Sequence, residues 1–241
     1  STIRKRLNNW EENNMSKKVA VIGEVSVPSN LETVAEVTDD CQFVLAAAPG
    51  GYEENLALWK EIEKKAGENT IFMLGSFNCF TGGLAAATNR PDRCVGVRMH
   101  VSPKDSSKAV AEISKGFDTS DEAMEAVKTF LNEKGVDTVD APDLIGGIVA
   151  RIMDVAVNEA AELIMEGVLP EDIDLALTTA CGAEEGLLKV ADSYGLDTVV
   201  QQSNVLFEEF NDYRYAPNAV LEKLVQVGRT GVKAKKGFFQ Y

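Results

Sequence analysis

One histidine, four scattered cysteines and no long apolar run leave this 241-residue sequence few ways to assemble a chemical site. Cys41, Cys79, Cys94 and Cys181 lie far apart and form no CxxC pair, and His100 is the single imidazole. A zinc centre needs more donors at closer spacing. The cysteines read instead as reduced, mostly buried thiols of a cytoplasmic protein. No stretch approaches the ~18 apolar residues of a membrane span. The polar segment Ser1–Asn14 has no apolar centre and is not a signal peptide. Positive charge is also scarce: 24 lysines and arginines face 38 aspartates and glutamates, for a net charge of −14. Nucleic acid and anionic membranes need a basic face to displace their counterions, so both are argued against as partners.

What is present divides into two patterns. Ile3–Glu12 has Ile3, Leu7 and Trp10 at helical spacing, and Lys18–Val27 reads as a strand. Asn30 then caps a short helix reaching Val37. Phe43–Ala48 is a continuous apolar run closed by Pro49-Gly50-Gly51, the form of a strand covered on both faces. Tyr52, Leu56, Trp59 and Ile62 line a helix that stops at Gly67. Thr70–Leu74 and Cys94–Met99 read as further strands. Thr119–Glu122 has the capping-box form before a helix ending at Gly135. Alternating strands and helices predict an α/β domain with a parallel sheet.

From about Pro142 the pattern becomes helical: Gly147–Met165, a segment opened by Pro170-Glu171-Asp172, then Gly186–Tyr194, Asp197–Phe210 and Ala219–Val227. The change falls near residues 138–145 and divides the chain into 1–140 and 141–241.

The second half carries the most specific motifs. Asn158-Glu159-Ala160, Glu166–Asp174 (EGVLPEDID), Ala191–Thr198 (ADSYGLDT) and the tail from Gly228 to Tyr241 stand in the order of the 3-hydroxyacyl-CoA dehydrogenase family. The first half resembles the same family more loosely, through Phe43–Trp59, Asn69–Ser76 and Leu84–Arg93. The resemblance implies an incomplete Rossmann-like parallel-sheet domain followed by an all-helical C-terminal dimerisation domain. It also implies an acyl-CoA ligand, and a homodimer or a heterodimer with a related dehydrogenase subunit.

Two alignments of the start remain open. In one, Ile3–Leu31 matches the helix and connector after the family's second strand, so the first βαβ unit is absent. In the other, Val19–Gly23 is the family's first strand. The sequence then runs Gly23-Glu24-Val25-Ser26-Val27-Pro28 where G-x-G-x-x-G is required. Either way the loop that carries backbone amides to a dinucleotide's pyrophosphate is missing, which puts NAD binding in doubt.

The same resemblance selects site residues. His100 matches the family's general base, and Glu112, twelve residues later, the carboxylate that orients it. A gapless alignment from Arg93 puts Arg98 and Val110 there instead. Cys79 takes the place of a substrate-binding serine, with Ser76 and Asn78 beside it as further donors; a thiol donates weakly. Ala150 replaces a catalytic asparagine and has no donor for a thioester carbonyl. Gly50, Asn55 and Pro103 replace a glutamate, a lysine and an asparagine. The losses gather on cofactor and transition-state contacts. They predict a non-catalytic or partner-dependent subunit, with an active NAD-dependent dehydrogenase as the alternative.

Overall fold

The computed structural model describes residues 17–241; the helix expected over Ile3–Glu12 lies outside them. Six strands form one sheet in sequential order: β1 (Val19–Gly23), β2 (Phe43–Ala47), β3 (Ile71–Leu74), β4 (Cys94–Val101), β5 (Ala109–Lys115) and β6 (Asp137–Asp140). Neighbours run parallel except β4 and β5, which are antiparallel. In the doubly wound order 3-2-1-4-5-6, the strand beside the fourth is the first. If β2 to β4 match strands four to six, β1 stands in the first strand's place, which favours the second of the two alignments.

Two apolar layers cover the sheet. On one side helix α1 (Tyr52–Lys65) inserts Trp59 and Ile62 against Phe72 and Leu74. On the other, a second helix in the first half presents Val127, Phe130 and Leu131 to Phe43, Leu45 and Val97, with the Phe43 and Phe130 rings stacked at 4.5 Å. Each such side chain stabilises the fold by about 1.5–3 kcal/mol when fully buried. That explains why β2 is apolar at every position. The short helix α2 (Thr81–Ala85) follows β3, and the helix bearing Phe130 is α3 (Asp121–Glu133).

Two local expectations are corrected. Asn30–Val37 is not a helix: Val34 exchanges strand-type bonds with β1, accepting from Val21 N (3.0 Å) and donating to Val19 O (2.8 Å). A helix that short pays its nucleation cost without a packing return, whereas the bridge covers the open edge of β1. The cap of α3 is Ser120, whose Oγ accepts from Ala123 N at 3.1 Å. Thr119 is turned inward and donates to Cys94 O at 2.6 Å. Glu112 lies on strand β5.

The remaining chain is helical: α4 (Val149–Met165), α5 (Pro170–Cys181), α6 (Leu187–Tyr194), α7 (Leu196–Phe210) and α8 (Ala219–Gln226). α4 is central, with Val157 and Ala161 packed against Ala191, Leu196 and Leu221. Asp192 pins the C-terminal tail by accepting from the amides of Phe238 and Phe239 and the hydroxyl of Tyr241, each at 3.0 Å. No helix of the described residues is long and apolar enough to cross a membrane.

Candidate active site

The antiparallel pairing of β4 and β5 sets Arg98 opposite Glu112 and His100 opposite Val110. Alternate residues of a strand share a face, so His100, Arg98 and Glu112 project together. Nε2 of His100 stands 2.9 Å from Oε1 of Glu112. The distance is that of an ion pair, but neither ring nitrogen has a well-aligned hydrogen-bond partner among the described residues. The two side chains are buried, and the Phe77 ring meets the imidazole edge-on at a centroid distance of 5.2 Å.

Glu112 does a second job. Its Oε2 accepts from Ile148 N at 2.6 Å and its Oε1 from Val149 N at 2.8 Å. These are unsatisfied amides at the start of α4, where the helix dipole favours a negative charge. Burial pushes the Glu112 carboxyl upward, but the approach of His100 and the bonds from Val149 and Ile148 outweigh it and hold the group below the usual carboxylate range. Gly147 lets the helix start approach this closely: its φ is +60°, and an added Cβ would overlap Oε2 of Glu112. Behind the pair lies Arg98, fully buried, donating to Cys79 O at 3.2 Å and Ser114 Oγ at 3.4 Å. Burial pushes its guanidinium down, against the favourable charges of Asp143 and Glu112.

His100 faces a cavity of about 820 Å³. Its floor is the carboxyl ends of β1, β3 and β4, the position where open α/β sheets take ligands; its opposite wall is α4, α6 and α7. Glu112 sits behind His100, outside the lining. Ala150 lines the wall as an apolar surface, with Tyr194 nearby. Tyr194 is kept protonated: burial, then the Glu112 charge, push its hydroxyl upward.

The other expected site residues fall elsewhere. From the loop after β3, the cavity is lined by Gly75 and Phe77, not by Ser76, Asn78 or Cys79. Ser76 is buried and accepts from Asn78 N at 3.2 Å, a local turn. Cys79 packs in the core with Trp59 and Leu84, and burial pushes its thiol up. Asn55 is fully buried and closes the turn after β2, accepting from Ala48 N and donating to Gly51 O, both at 2.9 Å. Sequence reasoning missed Asp154, Tyr194 and Gly147. The signals available were an acidic residue interrupting the apolar stripe of α4 and a paired glycine just before that helix.

The segment that leaves β1 reads Gly23-Glu24-Val25-Ser26-Val27-Pro28. Gly23 turns the chain (φ +82°), and Glu24 donates its amide to Ala47 O at 3.0 Å. Among the described residues no helix starts before Tyr52, and Glu24 itself lines the cavity.

Comparison with known proteins places the scaffold. Residues 1–144 match the NAD binding domain of 3-hydroxyacyl-CoA dehydrogenase, and residues 146–241 its C-terminal domain. The chain is 31% identical over 231 residues to 3-hydroxybutyryl-CoA dehydrogenase of Bradyrhizobium diazoefficiens, covering 94% of this chain and 78% of the relative. It is 29% identical over 222 residues to a probable 3-hydroxybutyryl-CoA dehydrogenase of Deinococcus radiodurans, covering 92% and 78%. Among solved structures, (S)-3-hydroxybutyryl-CoA dehydrogenase from Ralstonia eutropha superposes with a TM-score of 0.74 at 31% identity, over 84% of this chain and 71% of that one. With both domain models matched in order and the helical half folded as its motifs require, the chain belongs to the 3-hydroxyacyl-CoA dehydrogenase family.

Proposed function

We propose that this protein binds an acyl-CoA thioester in the cavity beside His100 and, by itself, does not complete NAD-dependent turnover. The observation behind this reading is the mismatch across one cavity. His100 and Glu112 stand 2.9 Å apart, while Glu24 lines the cavity at the end of β1, where a glycine-rich loop would carry amides to a diphosphate. In this reading His100 exchanges a proton with a hydroxyl or keto oxygen at the third acyl carbon, and Glu112 holds the imidazolium. Ala150 gives the thioester carbonyl nothing, and the first amides of α4 are already taken by Glu112. Tyr194 is the neutral donor assigned to that oxygen.

The protein acts as a subunit whose partner supplies the cofactor contacts. Exposed apolar side chains on α4 and α5, among them Ile152, Met165 and Leu175, offer the face for a homodimer or heterodimer. A second reading, an active NAD-dependent dehydrogenase, is favoured by the close approach of His100 and Glu112. Separate calorimetric titrations with acetoacetyl-CoA and NADH divide the two. The proposal expects saturable thioester binding and no NADH binding below millimolar concentration. Micromolar NADH affinity would move the assignment to the active enzyme.

A further inference from the structure

Asp154 is the one polar residue among those that α4 contributes to the cavity wall. It lies on α4 one turn beyond Ala150, about 6 Å along the axis, and lines the cavity between Met153 and Val157. It is 3% exposed. One carboxylate oxygen is held: Oδ1 accepts from Ser203 Oγ, which ties α4 to α7. The other, Oδ2, is buried and has no hydrogen-bond partner among the described residues. No lysine or arginine of those residues forms an ion pair with it.

A structural bond to Ser203, whose Oγ also lies 3.0 Å from Val199 O, leaves Oδ2 of Asp154 without a partner. The bond to Ser203 needs one acceptor oxygen, and an asparagine would supply it without a charge. A carboxylate with one oxygen buried and unpaired costs free energy. That cost is offset when a ligand brings the missing positive donor. Burial pushes the Asp154 carboxyl up to about 6, with the Ser203 bond acting the other way. Glu24 lines the same cavity and adds to its negative character, while Lys233 is exposed at its rim.

We infer that Asp154 is a cation-binding residue of this cavity, which takes ligands whose acyl portion ends in an ammonium group. The inference deepens the thioester reading above. Its first test does not depend on that reading.

The protein labelled with ¹³C at aspartate Cγ is titrated with hexylammonium chloride and, separately, with 1-hexanol. Hexylammonium is expected to shift the Asp154 resonance saturably, hexanol to leave it in place, and Asp154→Asn to weaken hexylammonium binding roughly 10- to 100-fold, the range of a charge-assisted bond. An equal response to both probes, or unchanged hexylammonium affinity in Asp154→Asn, overturns the inference. The wild-type comparison needs no variant to fold.

The second test pairs isosteric thioesters, 6-aminohexanoyl-CoA with heptanoyl-CoA and β-alanyl-CoA with butyryl-CoA, by calorimetry. One amine-ended thioester is expected to bind more tightly than its methyl-ended partner, and Asp154→Asn to erase the preference. If methyl-ended thioesters bind at least as well in both pairs, the inference fails while the thioester reading stands. If hexylammonium binds through Asp154 and no thioester binds, the inference stands and the thioester reading fails.

Discussion

The carboxylate of Glu112 that stands 2.9 Å from His100 Nε2 also accepts the first amides of α4. One side chain therefore meets the imidazole and fastens the start of α4 to the sheet, so changes at the site and loss of stability are coupled.

That coupling fixes a pH dependence. The Glu112 carboxyl is held below its ordinary value, so its stabilising contribution is fully present above the unfolded value of about 4.3 and is lost as pH falls through the lower folded value. Glu112→Gln is expected to cost about 3–5 kcal/mol at pH 7, measured by urea unfolding, and the gap from wild type to narrow steadily below pH 4. A gap unchanged with pH would show that the Glu112 charge is not what holds α4.

Gly147→Ala tests the same junction from the other side. An L-residue at φ +60° is strained, and the added Cβ overlaps Glu112 Oε2. A loss of roughly 2–5 kcal/mol is expected from left-handed strain and overpacking together. A melting temperature within a degree of wild type would contradict the geometry.

Ala150→Asn places an amide donor on the cavity wall. If the thioester carbonyl lies against Ala150, acetoacetyl-CoA affinity should rise about 2- to 10-fold, the value of one neutral hydrogen bond. Unchanged or weaker binding would move the carbonyl elsewhere. Tyr194→Phe is expected to weaken binding by a similar factor.

Dimerisation through the helical half predicts that Ile152→Glu or Leu175→Glu, at side chains 65% and 64% exposed, leaves the fold intact and yields a monomer in sedimentation. A monomeric wild type would remove that face from the account.

Much of this fold was legible from residue patterns. β2 and β3 are unbroken apolar runs because both their faces are covered, and α5 announces itself through Pro170 with Glu171 and Asp172 in its first turn. β5 was hidden because its buried stretch includes Glu112 and Ser114. Only the partners across the fold make those polar groups tolerable in a strand. β6 has mostly exposed, polar residues and gives no apolar signal. At the site, the family resemblance points to His100 and Glu112, with Arg98 and Val110 as the gapless alternative; the 2.9 Å approach of His100 to Glu112 depends on an antiparallel register that sequence spacing does not encode. Ser76, Asn78 and Cys79 matched the motif by position, yet the loop after β3 turns them away from the cavity. In the sequence Asp154 is one polar residue on an amphipathic helix; its bond to Ser203 of α7 joins residues 49 apart.

NADH oxidation with saturating acetoacetyl-CoA, measured on the purified chain free of other dehydrogenases, is the most direct measurement. The account predicts a rate indistinguishable from the protein-free control. Steady turnover that His100→Ala abolishes would contradict it and establish a self-sufficient dehydrogenase.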